Sequence, residues 1–140
     1  MTATAAVRRV LIIEDCVQDA LLLGLAFEDH APDVQVQVVS DGASGVAYCQ
    51  SLEPPQVVLD LHLPGQTGVE ILIQLRRQAT APFQVICWSS HAHPAEIQAV
   101  LDQGAVAYLE KPRGIEGFSA LVSTLLALQQ VQPSADPILS

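Results

Sequence analysis

The stretch VVLDLHLPGQTG (residues 57–68) joins a short apolar run to a carboxylate and then to a loop. Val57, Val58 and Leu59 read as a strand, and their unbroken apolarity indicates helices covering both of its faces. The strand brings a charge, Asp60, to its tip, and the chain passes His62, Pro64 and two glycines before helical periodicity resumes at Gly68. The same alternation repeats on either side. Residues 10–15 (VLIIED) predict strand one. Residues 18–31 predict a helix that Pro32 stops, since proline cannot continue a helix and disfavours helical angles in the residue before it. In residues 34–40 (VQVQVVS), Val34, Val36 and Val38 alternate with Gln35 and Gln37, the pattern of a half-exposed edge strand. Helix two then spans 41–52, strand three 57–61, helix three 68–79 and strand four 84–90. Helix four spans 94–104, opened by Pro94 and closed by Gly104, strand five 106–110, and helix five 115–131. Strands and helices alternating at this spacing predict right-handed βαβ crossovers and a doubly wound, five-stranded parallel sheet of the α/β class.

The chain of 140 residues leaves room for one domain, read over residues 10–131, with short loose ends at 1–9 and 132–140. Half of the residues are hydrophobic and 15% are charged, a composition that buries a core. The net charge of -9, with six Lys and Arg, argues against a broad grip on nucleic acid or an anionic membrane. Glu14 and Asp15 cut the run VLII far below the length of a signal-peptide core or a membrane span, so the expected compartment is the cytoplasm. Cys16, Cys49 and Cys87 are odd in number and lack CxxC spacing, which suits free thiols better than a disulfide frame or a zinc site.

In an open doubly wound sheet, ligands bind outside the carboxyl ends of the strands. The residues expected there are Glu14 and Asp15, Asp60, Ser89 and Lys111. Carboxylates converging on one edge repel and raise one another's pKa unless a cation joins them, and a small all-oxygen donor set suits Mg2+. Lys111 adds a fixed positive charge and Ser89 a hydroxyl, both useful to a phosphoryl group on Asp60. Taken singly, Glu14 and Asp15 also suit helix caps, and Asp60 suits a turn. Ser90 would replace Ser89 if the phase of strand four were shifted by one residue.

The acid pair of LIIEDC, the aspartate of VVLDLHLPGQTG, the hydroxyl of VICWSS and the Lys-Pro of GAVAYLEKP follow one another at the ends of strands one, three, four and five. In these four motifs the chain resembles the receiver domain of bacterial two-component response regulators, from Val10 to Val131. The resemblance implies a flavodoxin-like strand order of 2-1-3-4-5, with helices 1 and 5 on one face and 2, 3 and 4 on the other. It makes Asp60 the acceptor of a phosphoryl group from a sensor histidine kinase, with Mg2+ held by Glu14, Asp15, Asp60 and the backbone carbonyl of His62. Lys111 and Ser89 would contact phosphoryl oxygens, Ser89 and Tyr108 would form the switch, and the Lys111–Pro112 bond would be cis. Such a protein is a signalling module and no enzyme beyond assisting its own phosphotransfer and dephosphorylation.

Two positions depart from the family's usual residues: Cys16 stands where an asparagine or another polar residue is common, and His62 where a methionine is. His62 and His91 stand second after Asp60 and second after Ser89, where the family tunes access of water to the phosphoryl group. We expect them to alter the lifetime of the aspartyl phosphate in a pH-dependent way, against the plainer reading as solvated loop histidines. No output domain follows helix five, so a single-domain regulator acting on an unknown downstream protein is expected. The breadth of the apolar surface on helices one and five predicts a homodimer, formed through the face of helix four, strand five and helix five. The long helix one and the VQVQVVSDG strand resemble stand-alone regulators paired with bacteriophytochrome kinases. A haloacid-dehalogenase-type phosphatase would need an aspartate where His62 stands, and a flavin binder would need a Ser/Thr/Gly-rich loop where EDCVQDA stands. A receiver fold kept as a phosphate-independent interaction module is the remaining alternative.

Overall fold

A computed structural model describes residues 8–79 and 81–130. Five strands, β1 (Arg9–Ile13), β2 (Gln35–Val39), β3 (Gln56–Asp60), β4 (Gln84–Ser89) and β5 (Ala107–Glu110), alternate with five helices. The helices are α1 (Val17–His30), α2 (Gly42–Leu52), α3 (Gly68–Gln78), α4 (Pro94–Asp102) and α5 (Ile115–Gln129). All strand pairs are parallel and the order is β2-β1-β3-β4-β5, as expected. The predicted elements hold to within two residues at each described end; Arg9, expected in the loose N-terminus, instead opens β1, and residues 1–7 and 131–140 lie outside the described residues.

The sheet separates two apolar layers because successive side chains on a strand point to opposite faces. Val10, Ile12, Val58, Ile86 and Trp88 pack against Leu23 and Phe27 of α1 and Phe118, Val122 and Leu125 of α5. Leu11, Ile13, Val57, Leu59, Val85 and Cys87 pack on the other side against Ile71, Leu72 and Leu75 of α3 and Val100 of α4. Strands β3 and β4 are buried at every position, which accounts for their unbroken apolar runs. Edge strand β2 leaves Gln35, Gln37 and Val38 exposed.

Local chemistry sets the helix starts. Asp41 caps α2 by accepting from the Ser44 amide at 2.7 Å. Thr67 with Glu70, and His93 with Glu96, form reciprocal capping boxes at α3 and α4, with Pro94 as the first residue of α4. Gly104 takes φ +103° just past α4, a left-handed angle that favours glycine. Gly68 has no room for a side chain, since a Cβ there would lie 3.0 Å from the Leu61 Cα.

The far end of the sheet is tied by amides. Buried Gln56 on β3 donates to Gln84 Oε1 at 3.1 Å and to the Leu125 carbonyl at 2.9 Å, and accepts from Gln129 Nε2 at 2.9 Å. Gln84 in turn donates to the Leu128 carbonyl. These bonds satisfy carbonyls in the last turns of α5 that have no partner within the helix or supplement those that do.

The two broad apolar helices spend their breadth differently. On α5, Phe118, Leu121, Val122 and Leu125 are buried within the chain. On α1, Leu23 and Phe27 are buried, whereas Val17, Leu21 and Leu25 are 80%, 58% and 49% exposed. The last three line a groove of about 670 Å³ between α1 and β2.

Candidate functional site

The carboxyl ends of β1, β3, β4 and β5 bring the predicted residues to one place. Glu14 and Asp15 follow β1 directly, Asp60 ends β3, Ser89 ends β4, and Lys111 follows β5. The sheet ladder continues one step past the strands, with the Lys111 amide donating to the Ser89 carbonyl at 2.8 Å and the Glu14 amide to that of Val39 at 2.9 Å. These bonds tie the loop residues Glu14 and Lys111 to the neighbouring strands.

Glu14, Asp15 and Asp60 each offer a carboxylate oxygen within 4.8 Å of the others; Glu14 and Asp60 are buried and Asp15 is exposed. Asp60 Oδ1 accepts from the His62 amide at 2.8 Å, and its Oδ2 accepts from Lys111 Nζ at 3.2 Å. Glu14 Oε2 accepts from the Cys16 amide at 3.1 Å. Its Oε1 lies 2.8 Å from Lys111 Nζ, an ion-pair contact off the line of a hydrogen bond. Burial first, and then the hydrogen bond with Asp60, push the Glu14 carboxyl up to about 8 against the pull of Lys111 and the Cys16 amide. For Asp60, burial pushes upward but is outweighed by the Glu14 proton, the His62 amide and Lys111, so its carboxyl lies below the usual range. Burial likewise disfavours the Lys111 ammonium, yet Glu14 and Asp19 outweigh it and hold the amine well above its ordinary value.

This donor set fits Mg2+. Three carboxylates gathered beside a single ammonium leave excess negative charge, and a hard divalent cation prefers all-oxygen ligands.

Ser89 Oγ lies 2.7 Å from the Tyr108 hydroxyl, and Ser89 is buried while Ser90 is exposed, which fixes the phase of β4. Tyr108 is half-buried. The expected cis Lys111–Pro112 bond is corrected: no described peptide bond is cis. An X–Pro bond favours trans by about 0.5–1 kcal/mol, and here Pro112 packs on Gly117, where a Cβ would meet Pro112 Cβ at 2.5 Å.

The two histidines part company. His62 Nε2 lies 2.8 Å from Glu96 Oε2, joining the β3–α3 loop to the first turn of α4. His91 is exposed and has no polar partner among the described residues. Two site neighbours escaped the sequence reading. Asp19 Oδ2 accepts from Lys111 Nζ at 3.0 Å, and Glu96 holds His62. The signal for Asp19 was its spacing, one helical turn beyond Asp15 in EDCVQD.

Comparison with known proteins agrees with this geometry. The family model of the response regulator receiver domain matches residues 10–123. The transcriptional regulatory protein LiaR of Bacillus subtilis is 33% identical over 105 residues, 74% of this chain and 48% of the relative. RpaA of Synechocystis, a DNA-binding dual master transcriptional regulator, is 34% identical over 128 residues, 91% of this chain and 52% of the relative. The chain thus spans about half the length of these relatives. Among solved structures, the response regulator domain of Thermotoga maritima CheB superposes with a TM-score of 0.74 at 29% identity, covering 94% of this chain and all of that one. A CheY-like receiver domain protein from Methanospirillum hungatei, 20% identical, shares the fold at a TM-score of 0.75 over 89% of this chain and 98% of that one. No helix among the described residues is long and apolar enough to cross a membrane. With its family match, its strand order and the acids, hydroxyl and lysine gathered at the strand tips, the chain belongs to the response regulator receiver domain family.

Proposed function

We propose that Asp60 is the phosphoacceptor of a two-component phosphorelay. The observation that carries this reading is a buried strand-end carboxylate with an ammonium 3.2 Å from its Oδ2 and two further acids within metal-binding reach. A carboxylate oxygen of Asp60 attacks the phosphorus of a kinase phosphohistidine; the P–N bond breaks, the P–O bond forms, and the histidine leaves as neutral imidazole with its proton on the other ring nitrogen. Glu14, Asp15, Asp60 and the His62 carbonyl would hold Mg2+, which when bound supplies positive charge for phosphoryl oxygens. Lys111 neutralises a phosphoryl oxygen from the opposite side. Ser89 leaves the Tyr108 hydroxyl to donate to another oxygen, which frees Tyr108 and changes the surface of α4, β5 and α5. His62 and His91 modulate the lifetime of the acyl phosphate.

On this reading the donor is a sensor histidine kinase, with a bacteriophytochrome as its narrower form, and the phosphorylated face passes the signal to a downstream protein or a second copy. Leu101, Val106 and Ile115, exposed on or beside α4, β5 and α5, support a homodimer there. The net charge of -9 supports an absence of direct nucleic-acid contact by this chain.

Incubation with Mg2+ and acetyl phosphate is expected to add one phosphoryl mass, and beryllofluoride to change the fluorescence of Trp88. Asp60→Asn is expected to abolish both. No response in wild type, or an unchanged response in Asp60→Asn, overturns the reading.

A further inference from the structure

The first turns of α1, α3 and α4 share a feature that one of them uses differently. Each carries an acid at its third residue: Asp19, Glu70 and Glu96. Glu70 and Glu96 turn back and accept from the amide of their own N-cap, Thr67 and His93, at 2.8 and 3.0 Å. In α1 the N-cap Cys16 gives its amide to Glu14 instead, and Asp19 reaches across to Lys111 Nζ at 3.0 Å. Asp19 is therefore released from capping and committed to the site.

An ammonium has three N–H donors. In the resting protein Lys111 Nζ faces three carboxylates: Glu14 at 2.8 Å, Asp19 at 3.0 Å and Asp60 at 3.2 Å. Two of its donors are taken by Asp19 and Asp60, with Glu14 in ion contact beside them, so a phosphoryl oxygen on Asp60 competes with Asp19 for the charge of the ammonium. The Glu14 side chain is fully buried and that of Asp60 is 6% exposed, so neither can exchange Lys111 for water. The Asp19 side chain is 26% exposed and hydrates on release. It also faces a site that gains negative charge, because phosphorylation of Asp60 replaces one carboxylate charge by a dianionic phosphoryl group.

We infer that Asp19 is a positioning residue that holds Lys111 in the resting state and competes with the phosphoryl group for it, so that phosphorylation frees the first turn of α1. The inference rests on Asp60 being the phosphoacceptor, and it adds a conformational output on the side of the sheet opposite α4. An acid serving only the positive end of the α1 dipole would affect stability and leave Lys111 unchanged.

Two measurements on the full chain decide it. In the resting protein, Asp19→Asn and Asp19→Ala are expected to raise the rate of reductive methylation at Lys111 several-fold, since the ammonium loses a stabilising anion. With Mg2+, both variants are expected to bind beryllofluoride about tenfold more tightly, the scale of one charge-assisted hydrogen bond partly offset by hydration of the freed carboxylate. Trp88 reports that binding, because Lys111 Nζ lies 5.1 Å from its ring centroid. Unchanged methylation, or beryllofluoride affinity that is equal or weaker in both variants while wild type responds, overturns the competition and leaves the phosphoacceptor reading intact. A wild type blind to beryllofluoride overturns the phosphoacceptor reading and the competition with it.

Discussion

Glu14 is the acid of the site that burial most disposes to keep its proton. Its carboxyl, ordinarily near 4.5, is pushed up to about 8 by burial and by Asp60, so the folded chain keeps a proton that the unfolded chain gives up. The resulting stabilisation is fully present below about pH 4.5 and is lost as pH rises through about 8, a change on the order of a few kcal/mol. Asp60 has the opposite sign: its lowered pKa stabilises the fold above the ordinary aspartate range and is lost only in stronger acid. Thermal melts in chelator are therefore expected to fall between pH 5 and 8, with Glu14→Gln flattening the slope and Mg2+ raising the melting temperature most at pH 8. A wild-type slope equal to that of Glu14→Gln would show that Glu14 is ionised throughout. The acids at the strand tips were legible because a charge ending an apolar run is conspicuous. Asp19 was not, because helical periodicity is read from apolar positions and a single acid near a helix start is already accounted for by the dipole.

At the scale of elements, the loops at the site are fixed by the helices that follow them. Thr67→Ala removes the acceptor for the Glu70 amide and half of the α3 capping box, and is expected to cost about 1 kcal/mol in denaturant melts. Gly68→Ala is expected to cost about 1–3 kcal/mol, because the new methyl meets the Leu61 backbone. The Glu96 carboxylate serves two elements at once, accepting from the His93 amide and meeting His62. An exposed pair of this kind contributes at most about 1 kcal/mol to stability, so its effect belongs in kinetics. Glu96→Gln and His62→Met are expected to change the lifetime of the acyl phosphate in the same direction and without additivity. Independent, additive effects would show that His62 acts without Glu96. Glu96 goes unnoticed in the sequence, since nothing local reveals a partner 34 residues away. It also suggested a cis Lys111–Pro112 bond by family likeness, where packing of Pro112 on Gly117 accommodates trans.

Across the whole molecule, the order of strands and the division of helices between two faces were readable from alternation together with the family motifs, because period-two and period-3.6 patterns dictate which side chains can share a core. What alternation could not tell was which apolar side chains of α1 exceed the needs of the fold. Leu23→Ala is expected to cost about 2–5 kcal/mol, and Leu21→Gln less than about 0.5 kcal/mol, although only Leu22 separates the two positions. Comparable losses in urea melts would place Leu21 in the core. At the opposite pole from the acids, the amides of Gln56, Gln84 and Gln129 clasp the last turns of α5 with groups that do not titrate and are only weakly screened by salt. The other end of α5 begins at Ile115, which is 74% exposed, a few residues beyond Lys111. A rod clasped at its foot answers a tug on its head by leaning. On the proposed phosphorylation of Asp60, a shift of Lys111 is therefore expected to tilt α5 by an amount that grows toward the site, with the glutamine clasp as its fulcrum.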